Sequence, residues 1–519
     1  MASVAEGLSS RFDQVPPKTL DIITLLAGAA LPLAFAPFNV FPLAIILPAL
    51  LFALWLGCAP GRAAWRGFLF GLGTFGVGTS WVYVSLHNYG NMPVALAALT
   101  VLLFTAALAA FPAVVGWLQA RITGPRGAWH VVALLPALWV LLEWIRGWLL
   151  TGFPWLNLGY SQAASPLAGL GSWLGVYGVS WATALTAALI VQGLRDRVRR
   201  WRVYVPALVV LWVVGWLAAT VEWTRPVGEP LRIALVQANV PLTIKWLPNH
   251  RRSILERYLK LSAKAADADL VIWPEAAMPT YLDELDPAFL ARLRRQAGDH
   301  GRDFLIGVVE RDKANSAYYN SVISISSHPG IYRKQHLVPL GEFLPLKSIM
   351  SWLLDYLHIP MSDFSAGTSD QEPMQAAGHV IGISICYEDA FGQEIIRALP
   401  VATLLVNVSE DAWFGKSLAP HQRLQMARMR AIETGRPMLR AANTGLSAVI
   451  DASGQVVARS PQFQAFVLNG DVQPMQGTTP YARFGNWPIV LISLLLVTVY
   501  AASRTGLSRI KGSNDPAVG

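Results

Sequence analysis

Acidic residues are nearly missing from the N-terminal part of this 519-residue chain: between Leu20 and Val221 the only carboxylates are Asp21, Glu143 and Asp196. A water-exposed surface needs charge at about a quarter of its positions, so this stretch cannot be the outside of an ordinary soluble domain. The whole chain is 14% charged and 54% hydrophobic, which places a large part of it in lipid or deep in a core. Cysteine is scarce as well. Cys58 and Cys386 lie far apart, so no disulfide framework is implied. Metal-ligand spacings of His, Cys, Asp and Glu are missing, and so is a glycine-rich phosphate loop. No metal, nucleotide or other cofactor is therefore expected. Residues 1–18 are mixed polar and the first apolar run lacks a small-residue cleavage site, so that run is expected to stay as a span.

The net charge of +9 does not point to nucleic acid, because many of the bases sit in short loops between apolar runs. A membrane helix needs about 20 mostly apolar residues. Candidate spans lie near 20–37, 40–57, 66–86, 93–119, 129–149, 165–193 and 203–221, with an eighth near 487–503. Arg62 and Arg66 follow the second span, Arg121 and Arg126 the fourth, and Arg195, Arg197, Arg199, Arg200 and Arg202 the sixth. Arg504, Arg509 and Lys511 follow the last, whereas the loops 36–40 and 87–93 carry no Lys or Arg. Basic loops stay in the cytoplasm. Seven spans then put the segment from Glu222 to Asn486 outside, and the eighth returns the tail. The expected organisation is 1–221 transmembrane, 222–486 extracytoplasmic, and 487–519 a closing span with its cytoplasmic tail.

The segment between the seventh and eighth spans reads as α/β. Apolar, β-branched runs occur at Leu231–Val236, Leu270–Trp273, Phe304–Val309, Ser321–Ile325, Val380–Ile385, Thr403–Val408 and Ser447–Ile450. Helical patterns fall at Ser253–Ala268, Pro287–Gly298 and His421–Thr434. Strands alternating with helices predict a layered α/β fold.

Three stretches carry chemistry. In Val271-Ile272-Trp273-Pro274-Glu275 a carboxylate follows directly on a strand that Pro274 ends; alone, Glu275 is by default a loop cap. Tyr332-Arg333-Lys334-Gln335-His336 continues to Gly341-Glu342-Phe343; a lone Lys is by default a solvated base, and His336 by default structural. In Gly382-Ile383-Ser384-Ile385-Cys386-Tyr387-Glu388 a thiol ends a strand, although free Cys is more often a small buried hydrophobe. Together the three supply a base, a cation for an oxyanion and a nucleophile.

In this order, Trp-Pro-Glu, Tyr-x-Lys and Cys-Tyr-Glu resemble the nitrilase (carbon–nitrogen hydrolase) superfamily. The resemblance implies an αββα sandwich with Glu275 as general base, Lys334 as oxyanion stabiliser and Cys386 as nucleophile. Glu342 matches a further glutamate supporting base and lysine, and Glu388 one that places or tunes the nucleophile. Held between seven upstream spans and one downstream span, the domain resembles the apolipoprotein N-acyltransferases. Further stretches carry that likeness: Glu143-Trp144-Ile145-Arg146, Thr151–Leu156, Gly159–Gln162, Val236–Pro241, Lys245-Trp246, Asn407-Val408-Ser409, Asp411–Gly415, Gln425–Arg430 and Asn443-Thr444-Gly445. The pair Glu410-Asp411 is more acidic than the resemblance leads one to expect, adding charge near the presumed entrance.

The implied reaction moves a fatty acyl chain from a phospholipid, phosphatidylethanolamine by resemblance, through a Cys386 thioester onto the α-amino group of a diacylglyceryl-cysteine lipoprotein. It implies a multi-pass protein of the bacterial inner membrane, its catalytic domain on the periplasmic side, with the bilayer, phospholipid and apolipoprotein as partners and no nucleic acid. The alternatives are a membrane-tethered amidase or nitrilase using the same triad, and a transporter with an accessory domain. The shortage of intramembrane acids argues against the transporter. Glu143 and Arg146 are expected to pair on one helix face. The aromatic stretch from Phe153 to Tyr160, Trp155 included, is either a lipid-gripping arm or an aromatic belt. Trp246, Trp413 and Phe414 either gate acyl chains or pack as core.

Overall fold

The computed structural model describes residues 14–122, 128, 130–196, 201–265, 267–299, 301–343 and 363–512. Of the expected topology signals, Arg126, Arg197, Arg199 and Arg200 lie outside the described residues, as do the side chains of Arg504, Arg509 and Lys511. Two compact units result: one of residues 1–80, 99–221 and 486–519, the other of residues 81–98 and 222–485. The segment Trp81–Ala98 thus belongs with the α/β unit, although the sequence places 81–86 and 93–98 in spans and 87–93 in the loop between them.

Each expected span coincides with helix, but not all are long. Among the described residues, Pro17–Ala34, Val94–Arg121, Pro166–Arg195 and Trp201–Ala219 are long and apolar enough to cross a bilayer, and a fifth arises if Pro60–Gly78 and Trp81–Tyr89, bent by 51°, count as one span. At the bend the Thr79 hydroxyl donates to the Phe75 carbonyl at 2.7 Å and Ser80 to that of Val77 at 2.9 Å; hydroxyls competing for backbone acceptors bend helices. Leu43–Trp55 and Trp487–Ala502 are shorter apolar helices. The 13 residues of Leu43–Trp55 span about 20 Å at 1.5 Å per residue, against about 30 Å of hydrocarbon. The span expected near 129–149 is realised as a π-helical turn, His130–Leu134, running into Leu135–Arg146.

Small residues bring the helices of this unit into backbone contact, the usual route where lipid removes the hydrophobic drive between helices. A Cβ on Gly28 would lie 2.0 Å from the Phe70 carbonyl oxygen, and one on Gly73 2.3 Å from that of Leu25. Glu143 and Arg146 are both buried and reach the loop that follows their helix. Arg146 donates to the carbonyls of Phe153 and Trp155 at 2.6 Å and to Asn157 Oδ1 at 2.5 Å. Glu143 accepts from Trp139 Nε1 and the Leu158 amide, both at 2.9 Å.

In the α/β unit the strands are β1 (Thr224–Pro226), β2 (Leu231–Gln237), β3 (Leu270–Trp273), β4 (Asp303–Asp312), β5 (Ala317–Ile325), β6 (Ile331–Arg333) and β7 (Met374–Ala376). They continue with β8 (His379–Ile385), β9 (Leu404–Ser409), β10 (Met438–Ala442), β11 (Ala448–Ile450), β12 (Val456–Arg459), β13 (Phe466–Val472) and β14 (Met475–Gly477). Among the described residues there are two six-stranded sheets, ordered β13-β2-β3-β4-β5-β6 and β12-β11-β10-β9-β8-β7, and a β1-β14 ribbon. β2, β3 and β4 run parallel, as do β8, β9 and β10.

Strand periodicity assigns the cores. Ile233 and Leu235 of β2 join Ile272, Leu305, Val406 and Leu439 between the sheets. The alternate residues Ala234 and Val236 join Val271, Trp273, Phe304, Tyr258 and Leu293 beneath helices Arg251–Ala263 and Pro287–Gly298. Leu405, Met438 and Ile450 pack under helix Ala419–Thr434 through Leu424, Ala427 and Ala431. Both faces of each sheet are covered, which is why β3 reads as an unbroken apolar run. The layers are helix, sheet, sheet, helix: the expected αββα sandwich.

If the Gly28–Phe70 contact holds the helical unit together, Gly28→Leu forces backbones apart. It should cost on the order of 1–3 kcal/mol, read as a lower melting temperature in detergent; unchanged melting would show that the two helices do not meet there.

Candidate active site

Glu275, Lys334 and Cys386 each leave the end of a strand. Glu275 follows β3 after Pro274, and Ala276 has φ 45°. The turn leans on β4: a Cβ on Gly307 would lie 2.3 Å from the Pro274 oxygen and 2.6 Å from the Glu275 Cα, so only glycine permits it. Lys334 follows the edge strand β6, its amide donating to the Asn320 carbonyl of β5 at 2.8 Å. Cys386 follows β8 and opens a 3₁₀ turn through Ala390 with φ 51°. That left-handed conformation costs a non-glycine residue about 1–3 kcal/mol and has to be held by its surroundings.

The base and the cation form one buried cluster. Lys334 Nζ lies 2.8 and 2.7 Å from the two Glu342 oxygens and 3.9 Å from Glu275 Oε1. Asn320 Nδ2 donates to Glu275 Oε1 at 2.7 Å and to Glu342 Oε1 at 2.9 Å. The Glu410 amide donates to Glu275 Oε2 at 2.7 Å, and the Val338 amide to Glu342 Oε2 at 2.8 Å. Burial disfavours the Lys334 ammonium, but Glu342 and then Glu275 outweigh it and hold its pKa above the usual lysine range. Lys334 is therefore a fixed cation, suited to an oxyanion.

The thiol side rests on a second charged cluster. Arg423 Nη2 donates to the Cys386 carbonyl at 2.6 Å, and Nη1 points at Cys386 Sγ at 3.5 Å. Arg423 and Arg440 share Asp389 and Asp411 through ion pairs of 2.7–3.1 Å, with all four side chains at most 1% exposed. Burial opposes the Arg423 charge, but Asp389, the Cys386 sulfur and Asp411 raise its pKa above the ordinary arginine value. Burial, with Glu275 adding, pushes the Cys386 thiol up to about 12, while Arg423 and Lys334 pull the other way. A resting thiol thus needs a base to take its proton, and Glu275 supplies a carboxylate within electrostatic reach.

Glu388 ties the cation's loop to the nucleophile's turn. It accepts from the Gln335 amide at 2.6 Å, the His336 amide at 3.1 Å, the Ile385 amide at 2.7 Å and the Tyr332 hydroxyl at 3.1 Å. Burial pushes its carboxyl up to about 7 against the pull of those donors.

The structure brings Glu275, Lys334 and Glu342 into contact and sets Glu388 between the Lys334 and Cys386 segments. Glu410 and Asp411 do not add charge at an entrance. Both are buried, because each carboxylate has a cation inside the fold: Glu410 pairs with Lys245, and Asp411 with Arg423 and Arg440. Trp155 is 1% exposed inside the helical unit and stacks on Phe153, so the stretch is packed there rather than extended as an arm. Trp246 is half-buried beside Lys245, whose Nζ lies 5.9 Å from its ring centre. Trp413 and Phe414 are half-buried against Tyr89 and Trp81, with ring centres 6.2 and 5.0 Å apart, and Ser85 Oγ donates to the Trp413 carbonyl. Asn320, Arg423, Arg440 and Asp389 escaped notice in the sequence. The one local signal was a helix, His421–Arg430, too polar all round to be an ordinary core helix.

The elevated Glu388 value has a sign. Between pH 4.5, its ordinary value, and about 7 the folded chain keeps a proton that the unfolded chain has released. This group's contribution to stability is therefore full below 4.5 and is lost as pH rises through about 7. Glu388→Gln should flatten that part of the stability–pH curve. Above about pH 7 it should also lower the melting temperature by the equivalent of about 1–3 kcal/mol, because the wild-type carboxylate there accepts on both oxygens whereas the amide turns a donor toward other donors. Superimposable wild-type and variant curves would disprove the staple.

The family described as apolipoprotein N-acyltransferase N-terminal domain matches residues 27–189, and carbon–nitrogen hydrolase matches residues 232–481. Apolipoprotein N-acyltransferase of Methylococcus capsulatus is 46% identical over 93% of this chain and 96% of its own length. That of Nitrosomonas europaea is 44% identical over 93% and 98%. Among solved structures, a carbon–nitrogen hydrolase from Helicobacter pylori G27 aligns over 47% of this chain and 89% of its own, at 16% identity and a TM-score of 0.36. On the whole-length identity to these acyltransferases, the chain belongs to the apolipoprotein N-acyltransferase family.

Proposed function

We propose that the protein transfers a fatty acyl chain from a membrane phospholipid to the α-amino group of a lipoprotein's N-terminal diacylglyceryl-cysteine, by way of a thioester on Cys386. One observation carries the reading: a buried carboxylate, a permanently charged lysine and a cysteine on a left-handed turn lie at strand ends of a chain that also has bilayer-length helices.

Glu275 takes the Cys386 proton, and the sulfur attacks the donor's ester carbonyl. Lys334 holds the oxyanion that forms. The C–O bond breaks, the leaving oxygen takes the proton back from Glu275, and lysophospholipid departs. The acceptor amine then attacks the thioester, Glu275 takes its proton, the C–S bond breaks, the departing Cys386 sulfur takes that proton back from Glu275, and the amide remains. Glu342 and Asn320 keep Lys334 and Glu275 in register. Phosphatidylethanolamine is the donor we favour. A thioester open to water hydrolyses, so lipid surroundings favour transfer over hydrolysis.

The arginine pattern of the loops supports an eight-span arrangement in the inner membrane with the α/β domain on the periplasmic side. In that scheme residues 1–221 and 487–519 are the membrane parts and 222–486 the catalytic domain. A membrane-tethered amidase would use the same triad, but its small soluble substrates call for no bilayer-length helices.

Incubated with phospholipid, the purified protein should carry a fatty-acyl mass on the Cys386 peptide. Cys386→Ala should abolish it. Cys58→Ala should keep acyl transfer, because that thiol sits at a helix end of the helical unit, donating to the Leu54 carbonyl and accepting from Arg66 Nη1. Rapid turnover of short amides without transfer to a lipopeptide would favour the amidase instead.

A further inference from the structure

We infer that Arg423 is a catalytic group in its own right: its guanidinium is the cation that receives the Cys386 sulfur as a thiolate, both before attack on the donor ester and when the acceptor amine expels it from the thioester. This rests on the acyl-transfer reading above.

Lys334 has two of its three N–H groups on Glu342, and in the reading above the third serves the oxyanion. Arg423 grips the nucleophile at two points, Sγ at 3.5 Å and the carbonyl oxygen at 2.6 Å. A planar, rigid guanidinium making two contacts to one residue fixes where the sulfur sits relative to the charge. It also helps to hold the backbone turn at φ 51°, with Asn407 Nδ2 on the same carbonyl at 3.2 Å.

The charge count fits. Arg423 and Arg440 are balanced by Asp389 and Asp411, so this cluster as a whole does not repel an anion. Transfer of the thiol proton to Glu275 moves one negative charge from carboxylate to sulfur. The side-chain nitrogen placed at that sulfur is Arg423 Nη1. In the resting thiol its shorter bonds go to Ser409 Oγ at 2.5 Å and Asp411 Oδ1 at 2.8 Å. A thiolate accepts more strongly than a thiol and competes for the same N–H groups. The same contact lowers the energy of the departing sulfur when the C–S bond breaks, so both halves of the reaction draw on it.

The test is the pH dependence of Cys386 alkylation by iodoacetamide, followed on the Cys386 peptide of the full-length protein in detergent, with melting temperatures recorded alongside. Arg423→Lys should move the apparent thiol pKa up by a unit or more, so that alkylation below that pKa slows about tenfold. The charge-balanced pair Arg423→Gln/Asp389→Asn, which removes one charge of each sign, should slow it at least as much and keeps the question open to refutation if lysine at 423 does not fold. Folded variants whose profiles superimpose on the wild type would overturn the proposal and leave Arg423 as scaffold alone. Acyl-enzyme formation is measured separately. If the wild type never acquires an acyl mass, the acyl-transfer reading falls while the alkylation profiles still judge Arg423's hold on the sulfur.

Discussion

A lysine ammonium with 1% of its side chain exposed stays charged only where carboxylates face it, because moving a lone ion out of water costs several kcal/mol even after relaxation. Lys334 meets that condition through Glu342 on both oxygens and Glu275 behind it, with Asn320 bridging the two carboxylates. Much of the sandwich serves this arrangement. The pairing of Ser321 with Arg333 in the β5–β6 hairpin sets Lys334 beside Asn320. The parallel run of β3 and β4 lets Gly307 accommodate the turn that aims Glu275.

Buried charge recurs around this centre. Lys245 pairs with Glu410, Arg423 and Arg440 with Asp389 and Asp411, and Arg430 with Glu433. Pairs of this kind are weak sources of stability, since desolvation offsets most of their attraction. What they do here is fix loops. The Lys245–Glu410 pair sits on the residue whose amide holds Glu275 Oε2, and Lys245 Nζ also reaches the Glu275 carbonyl at 3.3 Å. Arg423 fixes the Cys386 carbonyl, and Glu388 ties the two segments together. A strained nucleophile and a buried base remain in place because the groups around them have nowhere else to pair.

The most legible strands are those apolar on both faces, such as β3, because burial on two sides leaves an unbroken hydrophobic run. β10 was hidden because Arg440 interrupts its run, and that arginine is buried only because Asp389 and Asp411 await it. β6 has three residues, two of them Tyr332 and Arg333, which no pattern separates from a loop. β13 pairs only with β2 at the sheet's edge, and its Asn469, Gly470 and Asp471 read as a turn. The segments 81–86 and 93–98 were read as ends of spans with 87–93 a loop between them; that pattern did not reveal that Trp81 and Tyr89 pack on Phe414 and Trp413.

The sequence by itself determined what is local: helices of bilayer length, an α/β segment after them, and a carboxylate, an ammonium and a thiol each placed just past an apolar run. These properties reside in neighbouring residues, in hydrophobicity and period, and survive without knowledge of the fold. Only the tertiary structure decided which charges are neutralised and by what, as in Lys245 with Glu410, Asn320 with Glu275, and Arg423 with Cys386. Those partners are far apart in the chain and meet through strand register and the packing of helices and turns on the sheets. Their electrostatics take effect only once water has been excluded around them, and no local pattern encodes that exclusion.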